Sequence, residues 1–387
     1  MSILYVLKDP KYFEMSNKEV ARNTANLIFY GNIASMFLVL VTGYWHDKLG
    51  RRFTLFISVN IVAICVSLIP WISTVYPGLL INQIVISFAK SGLSSSPLIA
   101  DYVVPSSRGR AIAVAGIGAC LGSLTSIFIL FNITKYIDSN FSFTIVGWFY
   151  VLCALYLLCS IKNMKSEDEE EESLLKKIFS IKGFTKTVKT VLKISINSRD
   201  INLCYFGSFV SSLNGTIHYL FIKFIISDYF GNSEDEIMQA KTITQLTLGI
   251  STAASIIVAF FGGWISDKIP LSWGLIIFFG IAAVFNVMIV CINDPTTWSS
   301  ILISVCINNS GILSLVVLKS LFNKSLKKSS KGIVTGIDSF FASIGVLIGT
   351  KFGAYLYEDY GQKSPFYMAF AATISFVICL IIFKVIV

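Results

Sequence analysis

Apolar residues run along this chain in long blocks, and short polar interruptions separate them. Bounded by Pro, Gly or charged positions, the blocks fall near 26–45, 53–71, 78–101, 110–134, 143–162, 201–227, 242–265, 271–291, 298–322, 332–356 and 364–385. Most approach the ~20 residues with which an α-helix crosses a bilayer. The pattern predicts about eleven complete transmembrane helices. One long hydrophilic break, 163–200, divides the chain; it opens with EDEEEE and continues with Leu175, Ile178, Phe179, Val188, Val191 and Leu192 at roughly helical spacing among lysines. That stretch suits an amphipathic helix on the inner membrane face, within a cytoplasmic linker.

Composition narrows the classes. A mean hydropathy of +0.74 with 55% hydrophobic and 14% charged residues excludes an ordinary soluble domain and fits a multi-pass integral membrane protein, with no indication of which membrane. The net charge of +9 needs no nucleic-acid partner, because Lys and Arg collect in cytoplasmic loops. With HDKLGRR placed inside, alternation puts PSSRGR, the 163–200 linker, SDKIP and NKSLKKSSK inside as well, and each is basic or carries the charged linker. The opposite turns (STVYPG, KYIDSN, DYFGNSEDE, INDPTTW, YEDYGQKSP) hold more acid than base or almost no charge. The eight Cys stand singly without CxxC spacing, and there are two His, His46 and His218. No metal site, phosphate loop or Ser/His/Asp hydrolase is indicated, so neither an enzyme nor a cofactor is expected.

The charged knot GYWHDKLGRR, 43–52, returns after the linker. GYWHDKLG at 43–50 is echoed by GWISDKIP at 263–270, pairing Gly43 with Gly263, Asp47 with Asp267 and Lys48 with Lys268 at an offset of 220. A second echo, AKSGLSS at 89–95 and NNSGILS at 308–314, keeps the same order. Two ordered matches argue for a duplicated helical bundle: 1–162, the linker 163–200, and 201–387.

These residues resemble the signature of the major facilitator superfamily. The motif comprises Gly43, Asp47, Lys48, Gly50, Arg51 and Arg52, with a weaker copy at Gly263, Asp267 and Lys268, and PLIADYVVPSSRGR at 97–110 looks like that family's helix-4 ending. The resemblance covers essentially the whole chain and implies an all-α membrane fold of two pseudo-symmetric bundles. The internal repeat aligns Met1 with a position near His218, inside the helix that begins around Ile201, so residues 1–8 are expected to be the stub of a truncated helix 1. The resemblance further implies a loop that latches the two halves outward-facing, with Asp101 and Arg108 in its charge network. In a short inter-helix turn, Asp47 is suited to accept hydrogen bonds from a neighbouring helix N-terminus, where the macrodipole favours an anion. Gly43 permits close helix contact.

Polar groups stranded at mid-span are the solute-binding candidates, since a charge there is costly without a partner or water. Lys90 falls near the middle of the 78–101 block and favours an anionic solute or an ion pair. Asn32, Asn214, His218, Gln245, Asn308 and Asn309 add hydrogen-bonding groups that serve a solute or tie helices together. Asp338 is the proton-coupling candidate, although it lies within about two turns of Lys331 and also suits pairing with a loop cation. The sequence as a whole predicts secondary active or facilitative transport of a small polar solute, with an organic anion preferred, by a monomer in the bilayer with protons as a candidate coupling ion. The alternative is a non-transporting sensor or scaffold of the same fold. The sugar-porter sequence Pro-Glu-Ser-Pro-Arg and the antiporter Gly-Pro pattern are both absent.

Overall fold

In the computed structural model, the residues described are 13, 17–93, 98–99, 102–104, 107–126, 137, 139–161, 198–230, 234–325 and 331–385. They contain eleven α-helices, and each falls on one apolar block of the sequence: α1 Asn17–Lys48, α2 Arg51–Leu68, α3 Leu80–Ser91, α4 Arg108–Thr125, α5 Ser139–Ser160, α6 Arg199–Tyr229, α7 Glu234–Lys268, α8 Leu271–Val287, α9 Trp298–Ser325, α10 Lys331–Tyr360 and α11 Ser364–Val385. Eight segments among the described residues are long and apolar enough to cross a membrane: parts of α2, α5 and α6–α11. The stub 1–8 and almost all of the linker 163–200 lie outside the described residues.

The chain forms two compact units whose members are not consecutive. One contains α1, α2, α3, α5 and α10 up to Ser343; the other contains α4, α6–α9, α11 and α10 from Ile344. In lipid the surroundings are as apolar as the helix surfaces, so packing and hydrogen bonds must hold helices together. In the first unit, Gly147 of α5 meets α2 so closely that a Cβ there would lie 1.8 Å from Ser67 Oγ. The Asn82 side chain donates to the Cys65 carbonyl at 3.1 Å, tying α3 to α2. Leu27, Cys65, Ile69, Val75, Leu79, Ile86 and Phe143 form the core between them.

The second unit is built around α6. Its buried face, Leu213, Ile217, Phe221 and Ile225, packs with Ile289, Ile307 and Phe366. Gly345, Gly349 and Gly353 recur every fourth position and so lie along one ridge of α10. A Cβ on each would lie 2.2 Å from the Phe209 carbonyl, 3.3 Å from the Leu213 carbonyl and 2.7 Å from the Phe221 ring, in that order. All three partners belong to α6: backbone meets backbone at Gly345 and Gly349, and Gly353 makes room for a ring.

Between α8 and α9 the chain turns on Asp294, whose Oδ1 accepts from the Thr296 N–H at 2.8 Å and the Thr296 hydroxyl at 2.6 Å. The Thr296 hydroxyl and then its N–H hold the Asp294 carboxyl below its ordinary value. A depressed carboxylate contributes stability above its unfolded pKa, about 4, and loses it as pH falls through the lower folded value. Thr296→Val should therefore flatten the loss of thermal stability between about pH 5 and about pH 2. An unchanged slope in pH-dependent unfolding would remove this turn from the acid response.

Candidate functional site

The knot between the first two helices is a two-residue turn. Helix α1 ends at Lys48 and α2 starts at Arg51, and Gly50 takes φ +84°, a conformation that side-chain-bearing residues rarely adopt. His46, 3% exposed, bonds through Nε2 to the Gly92 carbonyl at 2.8 Å, and Trp45 meets Phe88 edge-on at 5.5 Å. The knot thus grips the end of α3. Arg51 and Arg52 stand half-buried at the start of α2. Asp101 and the side chains of Asp47 and Lys48 lie outside the described residues, as do the surroundings of Gly43.

The second copy of the motif is described in full. Helices α7 and α4 cross with Gly263 against Gly109: a Cβ on Gly263 would lie 2.4 Å from Ala113 Cβ and 2.8 Å from the Gly109 carbonyl. The crossing brings Asp267, in the last turn of α7, to the first turn of α4. Its Oδ1 accepts the Gly109 N–H and its Oδ2 the Arg110 N–H, each at 3.2 Å. These are N–H groups that a helix cannot satisfy internally, and the α4 macrodipole adds to the attraction. Arg110 Nε at 3.4 Å and Lys324 Nζ of α9 at 3.6 Å complete the cluster. Arg110 is 64% exposed while Asp267 is 9% exposed, so the backbone donors outweigh that ion pair.

The remaining motif residues divide. Arg108 is buried and donates to the carbonyls of Val103, at 3.2 Å, and Asn323 of α9. It thereby engages the C-terminal turn of α9, where a cation meets the negative end of a helix dipole. Lys268 lies 4.0 Å from the Trp264 ring centroid and stays exposed. Arg110, Lys324 and Asn323 were not singled out by sequence; the RGR triplet was the available signal for the first.

Several mid-span polar residues act as ties within the second unit. Asn214 donates to Thr373 Oγ1 at 2.8 Å, joining α6 to α11, and His218 Nε2 bonds the Ser304 carbonyl at 3.0 Å, joining α6 to α9. Asn308 reaches Ser255 Oγ and Asn309 the Ser251 carbonyl, both at 3.4 Å, joining α9 to α7. Asn32 and Gln245 are half-buried.

Lys90 occupies the last turn of α3, which gives way to Gly92; helix is described again at 98–99, and residues 94–97 lie outside the described residues. Gly92 packs against α2, where a Cβ would lie 2.2 Å from Ser58 Oγ. Lys90 is exposed, whereas Asp338 is 1% exposed in the third turn of α10. Lys319 of α9, which the sequence reading passed over, bonds Ser208 Oγ of α6 at 3.2 Å.

The duplicated turn, with an acid at the helix end and glycines at the crossing, has a counterpart among known families. The sequence matches the family model of the Major Facilitator Superfamily over residues 15–197 and 204–386. The chain belongs to the major facilitator superfamily. The model matches twice, once on either side of residues 198–203. The fold agrees with the crystal structure of the human organic anion transporter MFSD10 (TETRAN), with TM-score 0.71 and 14% identity over 91% of this chain and 83% of that one. It also agrees with the major facilitator superfamily proton:xylose symporter XylE bound to 6-bromo-6-deoxy-D-glucose, with TM-score 0.62 and 15% identity over 97% and 89% of the two chains. No curated protein sequence matches this chain. Family and fold make it an integral, multi-pass membrane protein of solute transport.

Proposed function

We propose that this chain moves a small polar solute by alternating access, with repeats 1–162 and 201–387 rocking about a central site and 163–200 linking them on the cytoplasmic side. The observation that carries this is the Asp267 cluster. It ties α4, from the first repeat, to α7 and α9, from the second, through a few polar contacts at helix ends. Such contacts can be made and broken at modest cost, as a latch between two states requires. Gly43, Asp47, Lys48, Arg51 and Arg52 serve as the companion latch of the first repeat, with Asp101 and Arg108 supporting it.

The preferred solute is an organic anion. Exposed Lys90 supports this preference, and MFSD10, which shares the fold, is an organic anion transporter. Asn32, Gln245 and Asn308, each half-buried, are the further solute candidates. Buried Asp338 is the candidate for proton coupling, the kind of coupling named for XylE.

The test is uptake into proteoliposomes of radiolabelled succinate, glucose and choline, with and without a pH gradient. Saturable succinate uptake that falls by about ten-fold in Lys90→Gln is the expected result, an effect of ~1.4 kcal/mol. Absence of uptake of all three by folded protein would favour the sensor or scaffold alternative.

A further inference from the structure

Thr247, Ser251 and Ser255 recur every fourth position on α7 and form one buried polar stripe, at 2%, 2% and 1% exposure. Two of its members meet α9, Ser255 at Asn308 and Ser251 at Asn309, and Thr247 lies one turn further along the same face. Ser255 is fully engaged, donating to the Ser251 carbonyl at 2.7 Å and accepting from Asn308. The Asn309 amide nitrogen donates to two carbonyls, Val305 at 2.8 Å and Ser251 at 3.4 Å, which fixes the amide's orientation and turns Oδ1 away from both. Three buried oxygens of this seam then have no hydrogen-bond partner: Thr247 Oγ1, Ser251 Oγ and Asn309 Oδ1.

The two hydroxyls are informative, because a Ser or Thr in a membrane helix ordinarily donates to the carbonyl four residues back. Thr252, on the same helix, does so at 2.7 Å, as do Ser314 and Thr350 at 2.9 Å. Thr247 and Ser251 do not. The seam has no counterpart in the first repeat, where the offset of 220 puts Leu27 and Gly31 in place of Thr247 and Ser251.

We propose that this seam between α7 and α9 binds a sodium ion. The three free atoms are hard oxygens with lone pairs to give, and the two amide N–H₂ groups of the seam are already committed, Asn309's to carbonyls and Asn308's to the Ser255 hydroxyl. Oxygen-only donor sets select hard cations. None of the three is a carboxylate, so the set suits a monovalent ion over a divalent one, whose charge it would leave uncompensated. The ion supplies the interaction that the buried oxygens lack. This binding does not depend on the transport proposal.

The test is thermal unfolding of the purified full chain in detergent, titrating NaCl against choline chloride at constant ionic strength, with KCl in parallel. The expected result is a saturating rise in Tm of about 3 °C with Na⁺ and less than about a third of that with K⁺. The double variant Thr247→Val/Ser251→Ala should lose the rise while unfolding in choline at a Tm no lower than the parent's, since it deletes unpaired hydroxyls. Radioactive sodium binding to both proteins gives a second readout should the variant fold poorly, with Asn309→Asp expected to retain binding. Equal Tm in NaCl and choline for the parent, or a rise preserved in the double variant, would overturn the proposal and leave the seam to water.

Discussion

Asp267→Ala is expected to lower Tm by about 4 °C and solute uptake by about ten-fold. The alanine leaves the Gly109 and Arg110 N–H groups without their acceptor and removes the carboxylate beside Lys324, which keeps the Ser266 carbonyl at 3.4 Å. Loss of a helix cap costs about 0.5–2 kcal/mol, and a stranded donor about 1–3 kcal/mol. The Arg110 ion pair adds little because the guanidinium is largely solvated. A change of ~1.4 kcal/mol in one of two transport states shifts their ratio ten-fold, so the latch need not be strong to control turnover. Arg110→Ala, which keeps both backbone bonds, should cost under about 1 kcal/mol. Uptake and Tm measured together decide the matter: normal uptake by Asp267→Ala would sink the latch.

Gly345→Ala is expected to produce the largest loss of stability, about 3 kcal/mol or more. Its Cβ would stand 2.2 Å from the Phe209 carbonyl and 3.1 Å from the Leu213 backbone nitrogen. Backbone cannot rotate aside as a side chain can, so α6 and α10 must separate, and overpacking of this kind typically costs about 1–3 kcal/mol even where side chains can adjust. Gly349→Ala, at 3.3 Å from the Leu213 carbonyl, should be milder. Gly280→Ala, with nothing within 4 Å, should be neutral or gain up to about 1 kcal/mol. Thermal unfolding of the three variants should rank them in that order. Equal effects at Gly345 and Gly280 would remove the ridge from the account of how the second unit holds together.

The helices were legible because the bilayer dictates their length: each of the eleven apolar blocks carries one of the eleven α-helices found among the described residues. The motif echo was legible because a duplicated turn keeps its residue types at a fixed offset. Other features depended on three dimensions. The close approach of Gly92 to Ser58 joins residues remote in sequence. Lys324 and Arg110 belong with Asp267 only through helix crossing; as basic residues near helix ends, they looked topogenic. The GVLIGTKFG spacing of the α10 ridge was present in the sequence but stood among 26 glycines. For Asn214, His218 and Asn309, the residue type showed a need for a partner but could not say which neighbour would supply it. These helices are apolar almost all round, so periodicity gives no rotation about the axis.

The two echoed turns reach the same connection by opposite means. Gly50 precedes α2 at φ +84°, and its counterpart Pro270 precedes α8 at φ −54°. Before folding, glycine samples the widest range of backbone states and proline the narrowest. The α7–α8 hairpin thus closes from a smaller conformational ensemble than the α1–α2 hairpin and surrenders less entropy in doing so. A chimaera that exchanged the two turns would put proline where a left-handed backbone is required, so the duplication preserved the helix spacing without keeping its loops interchangeable.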